Sequence, residues 1–122
     1  MEKYNKAIGK FGEDTAEKYL KKNKYKIIQR NYLIRGGEID IIAQKGEYII
    51  FVEVKTRSDN AFGTPAEAIT FHKIQRMKKA AGVFMQSFGE AYCRFDVIEI
   101  YTVVYGEKFE VGKINHIENA FI

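Results

Sequence analysis

The sequence predicts an α/β domain with a mixed central β-sheet flanked by helices, in the order α-β-β-β-α-β-β. Two stretches repeat apolar residues at helical spacing, one near the N-terminus and one ending about residue 87. Five others alternate, or run apolar, between turn signals. The 122 residues suit one domain, residues 1–122, with one real core, and leave no room for two.

Each element has its own reason. Residues 3–23 form an amphipathic helix, with Tyr4, Ile8, Phe11, Thr15 and Tyr19 on one stripe. Gly9 and Gly12 weaken it locally, and helical glycines often admit close packing. Tyr25–Leu33, Glu38–Gln44 and Tyr48–Lys55 are strands; Gly36-Gly37 turns the first pair, and Lys45-Gly46-Glu47 makes a tight hairpin of the second. Ser58–Gly63 is a loop. Thr64-Pro65-Ala66-Glu67 has the capping-box pattern with Pro at the first helical position, and Thr70 could equally cap a helix that starts later. Ile69, Ile74, Met77, Ala81, Phe84 and Met85 carry that helix to about Ser87, and Gly89 ends it. Ala91–Tyr105 and Lys108–Ile114 are strands joined by a Gly106-Glu107 turn.

Composition narrows the function classes. Apolar residues make up 46% and charged residues 30%, which argues for a folded globular chain over a disordered one. The single cysteine, Cys93, can make no internal disulfide; a reducing compartment and a buried small residue are expected. The longest apolar runs, Tyr48–Val52 and Ala80–Met85, fall far short of a membrane span, and no signal peptide opens the chain. A soluble cytoplasmic protein with no membrane partner is the expectation.

The net charge of +4 is unevenly spread. Residues 1–35 carry +6, 36–53 carry −3, 54–80 carry +4 and 95–122 carry −3. An acidic window between basic segments suits a metal site within a polyanion-binding surface. Ordinary fluctuation of surface charge produces the same map.

The informative stretches are Gly37-Glu38-Ile39-Asp40-Ile41-Ile42 and Phe51-Val52-Glu53-Val54-Lys55-Thr56-Arg57. Strand side chains alternate faces, so Glu38 and Asp40 share one face, as do Glu53 and Lys55. Ile39, Ile41, Val52 and Val54 take the opposite one. A two-residue turn at Gly46-Glu47 sets Asp40 opposite Glu53 and Glu38 opposite Lys55; a turn at Lys45-Gly46 sets Glu38 opposite Glu53. Both registers gather all four charges on one face, and an odd register would scatter them. Two opposed carboxylates repel by roughly 4 kcal/mol at ~4 Å with an effective dielectric of about 20. A divalent cation with oxygen ligands offsets this, and so does an ion-pair network with Lys55.

An Asp, a spacer and Glu-x-Lys across a hairpin resemble the PD-(D/E)XK nuclease signature at Asp40, Glu53 and Lys55. The order of Gly12-Glu13, Asn31-Tyr32, Gly37–Asp40, Phe51–Arg57, Phe62-Gly63-Thr64-Pro65, Lys73 and Arg94-Phe95-Asp96-Val97 resembles the YraN family. These are small uncharacterised bacterial proteins similar to archaeal Holliday-junction resolvases, and the likeness spans about residues 9–100. It implies a restriction-endonuclease-like fold. It implies Mg²⁺ or Mn²⁺ on Asp40, Glu53 and the carbonyl of Val54, with Lys55 orienting or deprotonating the attacking water. Glu13 matches a first-helix acid that completes such sites, so the first helix would bring Glu13 over the Asp40/Glu53/Lys55 face.

The resulting reading is a metal-dependent endonuclease acting on DNA, on branched or damaged structures, with Arg57 and Lys73 as phosphate contacts. The resolvase analogy adds a homodimer. The alternatives are a non-catalytic protein that binds DNA or RNA within a larger repair or uptake complex, and a structural protein whose acids only form ion pairs. Glu38 is either an outer acid of the site or an ion-pair partner of Lys55. Asp96 reads as an ion pair with Arg94 or another base, Tyr32 as a core or edge aromatic, and Lys78 and Lys79 as a solvated face. His72 and His116 lack metal-ligand spacing. There is no phosphate loop, nucleophile elbow, paired-cysteine motif or dinucleotide fingerprint.

Overall fold

Seven elements follow in the expected order in a computed structural model, which describes residues 2–58 and 69–121. They are α1 (Glu2–Lys22), β1 (Lys26–Ile34), β2 (Gly37–Lys45), β3 (Tyr48–Ser58), α2 (Phe71–Phe88), β4 (Tyr92–Tyr105) and β5 (Lys108–Ile117). The five strands form one mixed sheet in the order β1-β2-β3-β4-β5. All pairs are antiparallel except β3 and β4, which run parallel across the connection that contains α2. No helix among the described residues is long and apolar enough to cross a membrane.

Of the two starts open to the second helix, Thr70 caps the one described. Its Oγ1 accepts the Lys73 N–H at 3.1 Å. The Thr64–Glu67 capping pattern and the Phe62–Pro65 motif lie outside the described residues. Gly89 closes α2, donating its N–H to the Met85 carbonyl at 3.0 Å.

Each face of the sheet has its own core. Ala16 and Leu20 of α1 pack with Ile41, Ala43, Ile50, Val52, Ile98 and Ile100. Ala80 and Ala81 of α2 pack with Ile39, Ile42, Ile49 and Phe51 on the other face. Tyr32 joins the second core with its ring edge-on to Phe84 at 5.6 Å, as an edge aromatic does. Lys78 and Lys79 are exposed, as expected of a solvated face. Cys93 corrects the expectation of burial: it is exposed, because it stands at the start of β4, on the sheet's rim.

Two glycines set how closely the helices approach. A Cβ at Gly12 would overlap Thr56 Oγ1 and lie 3.1 Å from its Cβ, so α1 sits directly on β3 there. A Cβ at Gly37 would stand 2.6 Å from the Arg76 carbonyl oxygen, so α2 lies against the start of β2. Gly9 meets nothing within 4 Å. We expect opposite signs from two alanine substitutions in one helix. Gly9→Ala should stabilise by up to ~1 kcal/mol through helix propensity. Gly12→Ala should destabilise by about 1–3 kcal/mol, because the branched Thr56 side chain has little freedom to yield. Urea unfolding of both variants checks this; equal shifts would sink the packing account.

Candidate active site

The hairpin chooses between the two registers. Lys45 pairs with Tyr48 and Ile41 with Val52, which sets Asp40 level with Glu53. The backbone ladder between β2 and β3 ends at Ile41 and Val52. Beyond it the Asp40 side chain takes over: Oδ2 accepts the Val54 N–H at 2.8 Å. Asp40 is thereby tied to the residue between Glu53 and Lys55.

Simple alternation fails at this point, which corrects the expectation that Ile39 and Ile41 share a face. They belong to the two cores on opposite sides of the sheet. On β1, Asn31 lies between the pairs Arg30↔Ile41 and Tyr32↔Ile39, and so opposite Asp40. Its φ is 52°, a left-handed conformation that Asn tolerates better than most residues. The pairing register sets Asp40 level with Glu53, and the Asp40 carboxyl acts directly on that of Glu53.

Glu53 is 4% exposed. Burial, and then the adjoining Asp40, push its carboxyl up to about 9, against the pull of Lys73 and Lys55. Glu53 thus keeps its proton at neutral pH. Lys73 reaches in from the first turn of α2, with Nζ 2.7 Å from Glu38 and 3.5 Å from Glu53. The hydrogen bond from Lys73 outweighs burial and holds Glu38 below its ordinary range. Glu38 therefore pairs with Lys73 and not with Lys55. Two residues along β3 from Glu53, Lys55 points to the same side by alternation. Among the described residues it enters no ion pair.

The remaining candidates are held elsewhere. Glu13 accepts from Arg30 at 3.2 Å, and the same guanidinium holds Asp14 at 2.7 Å and Glu17 at 3.5 Å. Among the described residues Glu13 makes no bond to Asp40 or Glu53. Arg57 is paired with Glu99 at 3.2 Å, and Asn115 donates to the other Glu99 oxygen at 2.8 Å. Glu99 is 3% exposed and stands beside Lys55 in the parallel β3–β4 register. Sequence reasoning missed it. The acid between Ile98 and Ile100 was visible, but its neighbour depended on a crossover register that no local pattern encodes.

Asp96 forms the expected ion pair. It is fully buried and accepts from Arg94 Nε and Nη2, both at 2.9 Å, from the Asn119 N–H at 3.0 Å, and bonds His116 Nε2 at 2.7 Å. Burial pushes its carboxyl up, but these bonds outweigh burial and hold it low. His116 also meets the Tyr19 hydroxyl at 3.0 Å, so this network ties α1 to β4 and β5.

A cleft of about 240 Å³ opens beside the carboxylates, lined by Asn31, Tyr32, Leu33, Glu38, Ile39 and Asp40. A larger one, about 550 Å³, lies by the Gly46–Glu47 hairpin and contains none of the candidate residues. Chemistry, not size, singles out the first. Among the described residues no group of three or more His, Cys, Asp or Glu is arranged to hold a metal ion. Two facing carboxylates are too few for a closed protein cage. They do fit a hard cation that keeps several waters, as Mg²⁺ does.

A family model for the uncharacterised protein family UPF0102 matches residues 12–100. The chain belongs to that family. A UPF0102 protein of Caldanaerobacter subterraneus subsp. tengcongensis is 47% identical over 124 residues, covering 99% of this chain and 100% of the relative. UPF0102 proteins of Clostridium perfringens and Geobacter metallireducens are 44% and 43% identical, each over 99% of this chain and 98% and 97% of their own. UPF0102 is the YraN group that the motif order resembles. The match spans Asp40, Glu53 and Lys55, and the family's own function is uncharacterised.

Proposed function

We propose that this UPF0102 protein is a metal-dependent endonuclease-like hydrolase that cleaves phosphodiester bonds in DNA, on branched or damaged structures. One observation carries the reading. Two carboxyls, Asp40 and the buried Glu53, are forced together beside a lysine that enters no ion pair among the described residues. A fold gains no stability from that arrangement. It suits a site built to bind a cation.

Asp40 and Glu53 would hold Mg²⁺ or Mn²⁺, with the Val54 carbonyl as a further ligand. When bound, the cation polarises the phosphate and acidifies a coordinated water. The chain's own residues do the rest. The Val54 N–H fixes the Asp40 carboxylate, so that oxygen needs no reorganisation on binding. Lys55 orients the attacking water and helps take its proton. Arg57, positioned by Glu99, and Lys73 contribute positive charge for phosphates. Glu13 joins the set by exchanging its Arg30 contact. Little chain remains for a base-reading element, so recognition goes by backbone and shape.

The test is cleavage with Mn²⁺ and Mg²⁺ at low salt, on labelled single strands, duplexes, flaps, four-way junctions and RNA hairpins. Wild type should cut, and Asp40→Asn and Lys55→Ala should each lose about 100-fold or more. Cutting by both variants at the wild-type rate would refute the assignment. Salt-sensitive binding without cutting, on every substrate, would favour the non-catalytic nucleic-acid-binding reading.

A further inference from the structure

The charge at the carboxylate cluster is balanced from within. Lys73 extends from the first turn of α2 into the space between Glu38 and Glu53, and its side chain is only 21% exposed. Its position is set by the backbone. Gly37 lets α2 close onto β2 at Arg76, one turn beyond Lys73, and Thr70 caps the helix through the Lys73 N–H. The ammonium therefore stands where a cation shared by these acids would repel it. Its two contacts are unequal: it is 2.7 Å from Glu38, which is partly exposed, and 3.5 Å from the buried Glu53.

We propose that Lys73 is the site's resident counter-ion, which a divalent metal displaces from Glu53 and which then, still tethered to Glu38, turns its ammonium to a phosphate of the nucleic-acid strand. The inference rests on reading Asp40 and Glu53 as the metal carboxylates. It goes beyond that reading, because it makes metal and polyanion binding cooperative. A metal must first evict Lys73, and the evicted ammonium then gains a phosphate partner. By linkage, each ligand tightens the other. Glu38 is the tether. Its carboxylate keeps the ammonium within a side chain's reach of the cleft that it helps to line.

Two binding measurements on wild type and Lys73→Met test this. Met keeps the length of the stem and removes the charge, and thermal unfolding of the variant checks that it folds. Calorimetric titration with Mn²⁺ alone should show the variant binding about tenfold more tightly, since no ammonium competes. Fluorescence anisotropy with a short labelled phosphorothioate strand should show Mn²⁺ tightening strand binding in wild type. Lys73→Met should lose that coupling, and its salt dependence should fall by about one phosphate contact. Lys73→Arg should restore strand binding. If wild type binds Mn²⁺ and Lys73→Met binds it equally or more weakly, the counter-ion role is refuted and the nuclease reading survives. If neither they nor Asp40→Asn binds Mn²⁺, the metal reading and this inference both fail.

Discussion

In metal-free buffer at pH 8, Glu53→Gln should unfold roughly 5–10 °C above wild type, and the gap should close towards pH 4. Folding raises this carboxyl from an ordinary 4.5 to about 9, first through burial and then through Asp40. Between those values the folded state keeps a proton that the unfolded chain has released. Wild-type stability therefore falls as pH rises, by at most about 1.4 kcal/mol per unit, and the favourable state is fully present only below about pH 4.5. Gln imitates the protonated acid at every pH and removes the slope. Metal acts in the opposite sense: binding must release that proton, so Mn²⁺ should stabilise wild type increasingly from pH 6 to 9 and leave Glu53→Gln almost unmoved. Thermal scans across pH, with chelator and with Mn²⁺, read both effects. A gap that stays constant with pH would show that Glu53 is ionised in the metal-free fold.

Loss of Asp96 should be the most damaging polar substitution away from the site. Its carboxylate joins Arg94, His116 and the Asn119 backbone while fully buried. Asp96→Ala leaves the mostly buried Arg94 guanidinium without its bidentate partner, at a cost of about 3–5 kcal/mol. Glu118 also pairs with Arg94, at 3.0 Å, but its side chain is 60% exposed. Glu118→Ala should cost under about 1 kcal/mol. Urea unfolding of both variants, side by side, separates the buried pair from the surface one. Equal losses would mean that the network contributes nothing beyond a surface contact.

The charged site was legible in part because hairpins are local. Asp40 and Glu53 are thirteen positions apart, and the two-residue turn between Lys45 and Tyr48 is enough to set them level. Elements were legible for the same reason. Caps, turn glycines and apolar spacing act within a few residues, and they located all seven. What escaped was everything that depended on a contact distant in sequence. The alternation break at Asp40 lies opposite the left-handed Asn31, on the neighbouring strand. The partner of Glu38 turned out to lie on α2, and Glu99 came level with Lys55 through a parallel pairing while bonding Arg57. Glu13 met an arginine on β1 before it could meet the acids.

The sequence by itself determined the order of elements, the family, and which acids and lysines a hairpin would gather, since periodicity and turn chemistry are short-range. Only the tertiary structure decided which cation stands among those acids. Whether Lys55 or Lys73 neutralises the cluster depends on where a helix well beyond the hairpin comes to rest. Burial, the other decision left to the fold, turned Glu53 from an ordinary surface acid into one that keeps its proton at neutral pH.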